Sequence, residues 1–163
     1  MQRPQLEPLM RIGARGSPLS MTQTRQLRDL LAASLDIEPS QYDQLLPIIA
    51  ITTTGDRIQD RPLSEAGGKG LFTKELDDAL LDGRIDCAVH SLKDVPTHMP
   101  DGIILLAGPA REDRRDTLVS LKGLSLDQLR QGAIIGSASL RRATQLQFAR
   151  PDLKIISLRG NVG

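Results

Sequence analysis

Four stretches place groups that could handle anions or protons where an apolar run gives way to polar residues. In Gly136-Ser137-Ala138-Ser139-Leu140-Arg141-Arg142, small and hydroxyl residues follow an apolar run and open a helix. The free backbone amides of a helix start favour anions, and Ser137 and Ser139 can add hydrogen bonds. Arg141 and Arg142 fall in the first turn, where the helix dipole disfavours a cation by about 0.3–1 kcal/mol. An anionic ligand would offset both placements; two solvated arginines above a serine cap are the competing account. The second stretch, His90-Ser91-Leu92-Lys93-Asp94-Val95-Pro96, leaves the apolar run through Cys87. Open α/β sheets bind ligands beyond the carboxyl ends of their strands. A carboxylate there can exchange a proton or stabilise a developing cation, and Pro96 fixes the exit of the loop. Lys93 and Asp94 read equally well as solvated surface charge. Arg15-Gly16-Ser17-Pro18 offers a guanidinium, a hydroxyl and amides at a third junction, as an anion site or as a plain helix cap. The fourth, Gly67-Gly68-Lys69-Gly70, misses the GxxxxGK[ST] spacing of a phosphate loop and leaves Lys69 as a flexible anion contact. Cys87 reads as a small buried hydrophobe and His98 as surface. His90 shares a strand face with Ala88, so it either faces the core or stays at the rim.

The elements that must position these groups follow an alternating pattern. A short strand over Leu9–Ala14 is followed by a helix that Ser17 can cap and Pro18 can open. It runs to about Leu35, with Leu27, Leu30, Leu31 and Leu35 on one face. Leu45–Thr53 reads as a strand in which Pro47 marks an early or edge position. A polar loop, Thr54–Gly70, precedes a helix on Phe72, Leu76, Ala79 and Leu80 that ends near Gly83. Strands follow at Ile85–Val89 and Ile103–Ala107. This βαβαββ order argues for an α/β sheet with substantial parallel pairing.

The charged, proline-containing stretch Gly108–Asp116 reads as a lobe boundary. Beyond it the pattern predicts a strand at Thr117–Ser120, a short helix at Ser125–Arg130 and a strand at Gly132–Gly136. A helix at Ser139–Arg150 and a strand at Leu153–Leu158 complete it. The expected organisation is one lobe over residues 1–108 and a second, incomplete lobe over residues 109–163. A chain that stops in a loop just after a central-type strand reads as a fragment.

Composition removes several functions. Among the 163 residues, 21 Lys and Arg against 20 Asp and Glu leave a net charge of +1. No global field then steers the chain to nucleic acid or an anionic membrane. Tyr42, Phe72 and Phe148 are the only aromatics, too few for the stacking platforms of single-strand binders. A lone cysteine excludes an internal disulfide framework, and with two histidines it argues against zinc. Residues 1–10 lack the apolar stretch of a signal peptide, and Leu45–Ile51, the longest apolar run, is too short to span a bilayer. A cytoplasmic protein with no nucleic-acid or membrane partner is expected.

Taken together, the motifs resemble the porphobilinogen deaminase (hydroxymethylbilane synthase) family. The resemblance rests on Arg11–Leu19 (RIGARGSPL), Gly67–Phe72 (GGKGLF) and Ala88–Pro96 (AVHSLKDVP). It continues through the charged stretch Arg111–Asp116, then Ser137–Arg142 (SASLRR) and Leu158–Gly163 (LRGNVG). It covers nearly the whole chain from Met10 onward and corresponds to about the first half of a family member. It implies periplasmic-binding-protein-like lobes with mixed, mostly parallel sheets and the active cleft between the first two of three domains. The implied reaction joins four porphobilinogen molecules head to tail into hydroxymethylbilane, releasing ammonia at each step, on a covalent dipyrromethane cofactor. Asp94 matches the family's catalytic aspartate, which contacts pyrrole N–H groups and stabilises the cationic azafulvene. By the same carry-over, Arg15, Ser17, Lys69, Ser91, Lys93, Ser137, Ser139, Arg141, Arg142 and Arg159 would bind the carboxylate arms of cofactor and growing polypyrrole. Asn161 shares the loop of Arg159.

The resemblance places the cofactor-bearing cysteine in a third domain, and Cys87 does not match it. These 163 residues alone are therefore expected to be inactive, and the full-length form to be a monomer. The alternative from another class is a non-catalytic carboxylate-binding module of periplasmic-binding type. Asp94 separates the two, because a passive anion binder gains nothing from an acid in its cleft.

Overall fold

The computed structural model describes residues 7–58, 70–106 and 108–158. They fall into two compact units divided between Pro109 and Ala110, each with its own parallel sheet. The protein is thus an α/β protein whose described strand pairs are all parallel.

In the first unit, strand β1 (Ile12–Arg15) is flanked by β2 (Ile48–Ile51) and β3 (Cys87–Ala88), in the order β2-β1-β3. Ile12, Gly13 and Ala14 are buried, as a central strand covered on both faces requires. Gly13 has a packing reason, since a Cβ there would overlap the Ile85 side chain. Helix α1 (Pro18–Ser34) starts where expected: Ser17 Oγ accepts from Ser20 N at 3.4 Å, and Pro18 occupies the first turn. Its packed face differs from the leucine stripe. Thr24 and Ala32 are fully buried while Leu30 and Leu35 are about half exposed, because small residues let the helix axis approach the sheet closely. Ala32 joins Ile12 and Leu46 in the core, with Met10, Leu31, Tyr42, Cys87 and Val89 packed around them.

The strand expected over Leu45–Thr53 is shorter, because Tyr42–Leu45 forms a helical turn (α2). Pro47 lies just outside β2 and its carbonyl accepts from Ile12 N at 2.9 Å. The loop expected from Thr54 begins instead as another helical turn, α3 (Thr54–Arg57), because Thr53 and Asp56 form a capping box. Helix α4 (Lys74–Leu81) matches its apolar spacing, burying Leu76 and Ala79. The strand expected at Ile103–Ala107 does not form over the described residues 103–106. Ile104, Leu105 and Leu106 are each more than half exposed, and no strand pairs with this segment among the described residues.

In the second unit, β4 (Ile134–Gly136) pairs in parallel with β5 (Lys154–Ile156), connected through α5 (Leu140–Ala149). Ala133, Ile135 and Leu153 form its core. Arg150 pins the far end of the helix. It grips Asp152 through two 2.8 Å bonds and donates to the carbonyls of Leu126 and Leu129. The helix expected at Ser125–Arg130 is a single 3-10 turn, Leu126–Gln128. The strand expected at Thr117–Ser120 does not form: Val119 is almost wholly exposed, and its segment has no pairing partner among the described residues. No helix among the described residues is long and apolar enough to cross a membrane.

Candidate functional site

Parallel strands carry their side-chain machinery beyond their carboxyl ends, and three such ends meet in the first unit. β1 ends on Arg15; β2 leads through Thr53 into α3, which presents Asp56. β3 leads through His90 and Ser91 into a 3-10 turn, Leu92–Asp94. Arg15 Nε lies 3.2 and 3.3 Å from the two Asp56 carboxylate oxygens, and its Nη2 forms a closer bond to Oδ1. Its Nη1 faces Asp94 Oδ2 at 3.8 Å, and its guanidinium lies over the Phe72 ring, 4.0 Å from the centroid. The Arg15, Asp56 and Asp94 side chains are only 17%, 20% and 24% exposed. Asp94 is therefore a shielded acid beside a cation, not a solvated surface charge.

The electrostatics follow from these contacts. Burial pushes the Asp56 carboxyl up, but hydrogen bonds from Arg15 and Thr53 outweigh it and leave the group below the usual range. Burial raises Asp77 on α4. Burial also lowers His90, opposed by the nearby carboxylates of Asp77 and Asp94 and reinforced by Arg15. His90 is thus a half-buried, poorly protonated ring within electrostatic reach of the cluster. Cys87 packs on the core with Sγ 3.6 Å from Met10 Sδ, and burial raises its thiol, which makes it a poor nucleophile.

The remaining expected residues of this unit flank the cluster. Ser17 caps α1 two residues after Arg15. Ser91 Oγ donates to Gln23 Oε1 on α1 at 3.1 Å, tying the entry of the Asp94 turn to the helix. The Lys93 side chain is exposed. Lys69, Arg159 and Asn161 lie outside the described residues.

In the second unit, the end of β4 turns into α5 through Ser137 and Ser139. Ser137 N donates to Ile156 O at 2.9 Å, Ser139 N donates to Ser137 Oγ at 3.2 Å, and Ser139 Oγ accepts from Arg142 N at 3.4 Å. Arg141 and Arg142 are more than half exposed, and both grip Asp116. Arg141 Nη1 and Arg142 Nε each donate to it at 2.8 Å, and the two guanidinium groups hold its carboxyl below the usual range. The anion expected to offset two cations in a first helical turn is thus supplied in this structure by the chain's own Asp116.

Residue-type reasoning overlooked Asp56, Phe72, Gln23 and Asp116. For Asp56 a signal existed: Thr53-Thr54-Gly55-Asp56 after an apolar run has capping-box spacing. Phe72 was legible only as a helix-face marker, because its stacking on Arg15 joins residues 57 positions apart. Asp116 stood inside a charged stretch, with nothing local to single it out.

The family model described as porphobilinogen deaminase, dipyromethane cofactor binding domain, matches residues 10–163. A porphobilinogen deaminase of Phenylobacterium zucineum is 54% identical over 159 residues, covering 96% of this chain and 50% of that protein. One from Caulobacter sp. (strain K31) is 54% identical over 154 residues, covering 94% and 48%. A chloroplastic porphobilinogen deaminase of Oryza sativa subsp. japonica is 53% identical over 154 residues, covering 94% and 42%. The chain spans about half the length of these curated relatives.

Proposed function

The chain belongs to the porphobilinogen deaminase family, and on that premise we propose the following function. The protein is a transferase of tetrapyrrole biosynthesis that joins four porphobilinogen units into hydroxymethylbilane and releases ammonia at each step. The proposed organisation is a first lobe of periplasmic-binding type over residues 1–108 and the N-terminal part of a second over residues 109–163, with ligand groups beyond the carboxyl ends of the strands.

The observation that carries this reading is the shielded Asp94 carboxylate set beside, but not closed upon, Arg15. Loss of an amine from a pyrrole-bearing carbon leaves positive charge on the ring, and a fixed carboxylate stabilises it. At about 4 Å and an effective dielectric near 20, a unit pair interacts by about 4 kcal/mol. That corresponds to about a thousandfold in rate. Pyrrole N–H donors can approach the Asp94 oxygens, which have no hydrogen bond from Arg15 at 3.8 Å.

The dipyrromethane cofactor named by the matching family model fits the donor set in the second unit. Arg141 and Arg142 already hold one carboxylate, that of Asp116, in hydrogen-bonding geometry. In place of Asp116 they would hold the cofactor's carboxylate arms, with Ser137 and Ser139 adding hydroxyl and amide donors at the start of α5. When bound, that group supplies the pyrrole end to which units are added. Arg15, Ser17, Ser91 and Lys93 line the strand ends of the first unit. With Lys69, Arg159 and Asn161, they are proposed as further contacts for carboxylate arms of cofactor and substrate.

The test is incubation of the natural polypeptide carrying this sequence with porphobilinogen, with ammonia and tetrapyrrole measured together. About four ammonia molecules per hydroxymethylbilane support the reading. Stoichiometric binding of porphobilinogen without ammonia release replaces it with a passive carboxylate-binding module.

A further inference from the structure

An arginine next to two carboxylates can divide itself between them or close on one, and Arg15 closes on Asp56. Its Nε and Nη2 edge is taken by Asp56, and its plane is laid on Phe72. Only Nη1 remains toward Asp94, beyond hydrogen-bond distance. A guanidinium in a rigid fork geometry pairs best edge-on with a single carboxylate, so whichever acid holds that edge neutralises it. We propose that Asp56 is a positioning residue for Asp94, acting through Arg15: by occupying the guanidinium edge it keeps Arg15 from closing on Asp94. The acid then keeps its lone pairs for donors on a ligand, and its charge for a developing cation.

The surroundings of Asp56 are built to hold it there. Its Oδ2 accepts from Thr53 N at 3.3 Å and from the fully buried Thr53 Oγ1 at 2.8 Å. The α3 turn carrying it is anchored twice. Gly55 N donates to Leu71 O at 2.7 Å, and Thr54 donates to Glu75 Oε1 through its amide at 2.8 Å and its hydroxyl at 2.5 Å. Residues after β2, Leu71 before α4 and Glu75 in its first turn therefore jointly fix one carboxylate opposite Arg15.

The catalytic half of the inference rests on the reading of Asp94 given above; the structural half does not. Both are tested in the natural polypeptide with Asp56→Asn. The first readout is the Arg15 Nε–H resonance. In the wild type, Asp94→Asn should leave it in place; with Asp56→Asn already present, Asp94→Asn should move it, because Arg15 has swung onto Asp94. A resonance equally indifferent to Asp94 in both backgrounds overturns the proposal, whatever the protein catalyses. The second readout is kinetic. Asp56→Asn should lower kcat about tenfold to a hundredfold, the scale of misplaced catalytic geometry, with KM within about twofold. Asp56→Glu should restore kcat to within about threefold of wild type. Unchanged kcat in Asp56→Asn, or no recovery with glutamate, overturns it. If porphobilinogen is not turned over at all, the functional reading fails and the resonance alone decides. Should Asp56→Asn not fold, Thr53→Val takes its place, removing the hydroxyl bond that fixes the carboxylate and so weakening its hold on Arg15. It should lower kcat about threefold to tenfold and make the Arg15 resonance sensitive to Asp94; wild-type behaviour in both overturns the proposal.

Discussion

Replacing Gly55 by alanine strikes the support beneath Arg15 without touching a charged group. A Cβ at this position would overlap the edge of the Phe72 ring and lie 2.9 Å from the Leu71 carbonyl oxygen. The ring can rotate away, but the carbonyl cannot retreat freely, because Gly55 N is bonded to it at 2.7 Å. Overpacking of this kind costs about 1–3 kcal/mol. Moving the ring also weakens its stacking on Arg15, worth about 0.5–2 kcal/mol. A combined loss near 2 kcal/mol lowers the melting midpoint of a domain of 60–100 residues by about 8–16 °C. Thermal unfolding followed by circular dichroism measures it directly. A cycle with Phe72→Leu isolates the cause: with the ring already removed, the added methyl should cost at least about 1 kcal/mol less. Melting within about 2 °C of wild type would refute the packing argument. Additivity of the two substitutions within about 0.5 kcal/mol would do so as well.

Three other perturbations test separate parts of the account. Ile12→Ala empties a fully buried position on the central strand and should destabilise the first unit by about 2–5 kcal/mol in urea unfolding. Ser139→Ala removes the side-chain cap of α5, whose 3.4 Å bond to Arg142 N is long. A loss near the lower end of about 0.5–2 kcal/mol is expected, read as a lower urea midpoint of the second unit. The Arg11 hydrogen bonds hold the Asp86 carboxyl at about 2, below its ordinary value of 3.8. The folded state therefore binds that proton less readily than the unfolded chain. Its stabilisation is present above pH 3.8 and lost as pH falls toward about 2. Urea midpoints of the wild type should drop more steeply across that window than those of Asp86→Asn, and equal slopes would remove the Arg11 pair from the account.

The elements with strong local signals were legible in the sequence. The Ser17-Pro18 cap, the apolar spacing of α4 and the Ser139 start of α5 each depend on neighbours within a turn or two, and each formed where predicted. The two strands that did not form, Ile103–Ala107 over its described part and Thr117–Ser120, were read from β-prone residues alone. A strand exists only by pairing, and neither segment finds a partner among the described residues. The α/β class with parallel strands was recoverable from the alternation of periodicities. The division of labour at the strand ends was not. Arg15 was visible as a cation at a junction, yet its engagement by Asp56 and Phe72 brings together residues from after β2 and before α4. Likewise Asp116, 25 residues before Arg141, fills the anion position that the helix-dipole argument had left for a ligand.

The central claim is that Asp94 stabilises positive charge as the substrate amine departs, while other groups hold the substrate. Single-turnover ammonia release in Asp94→Asn, set beside porphobilinogen binding to the same protein, tests it most directly. Release should slow about a hundredfold to a thousandfold with the dissociation constant unchanged within about threefold. Wild-type release with weakened binding would contradict it and make Asp94 a binding residue.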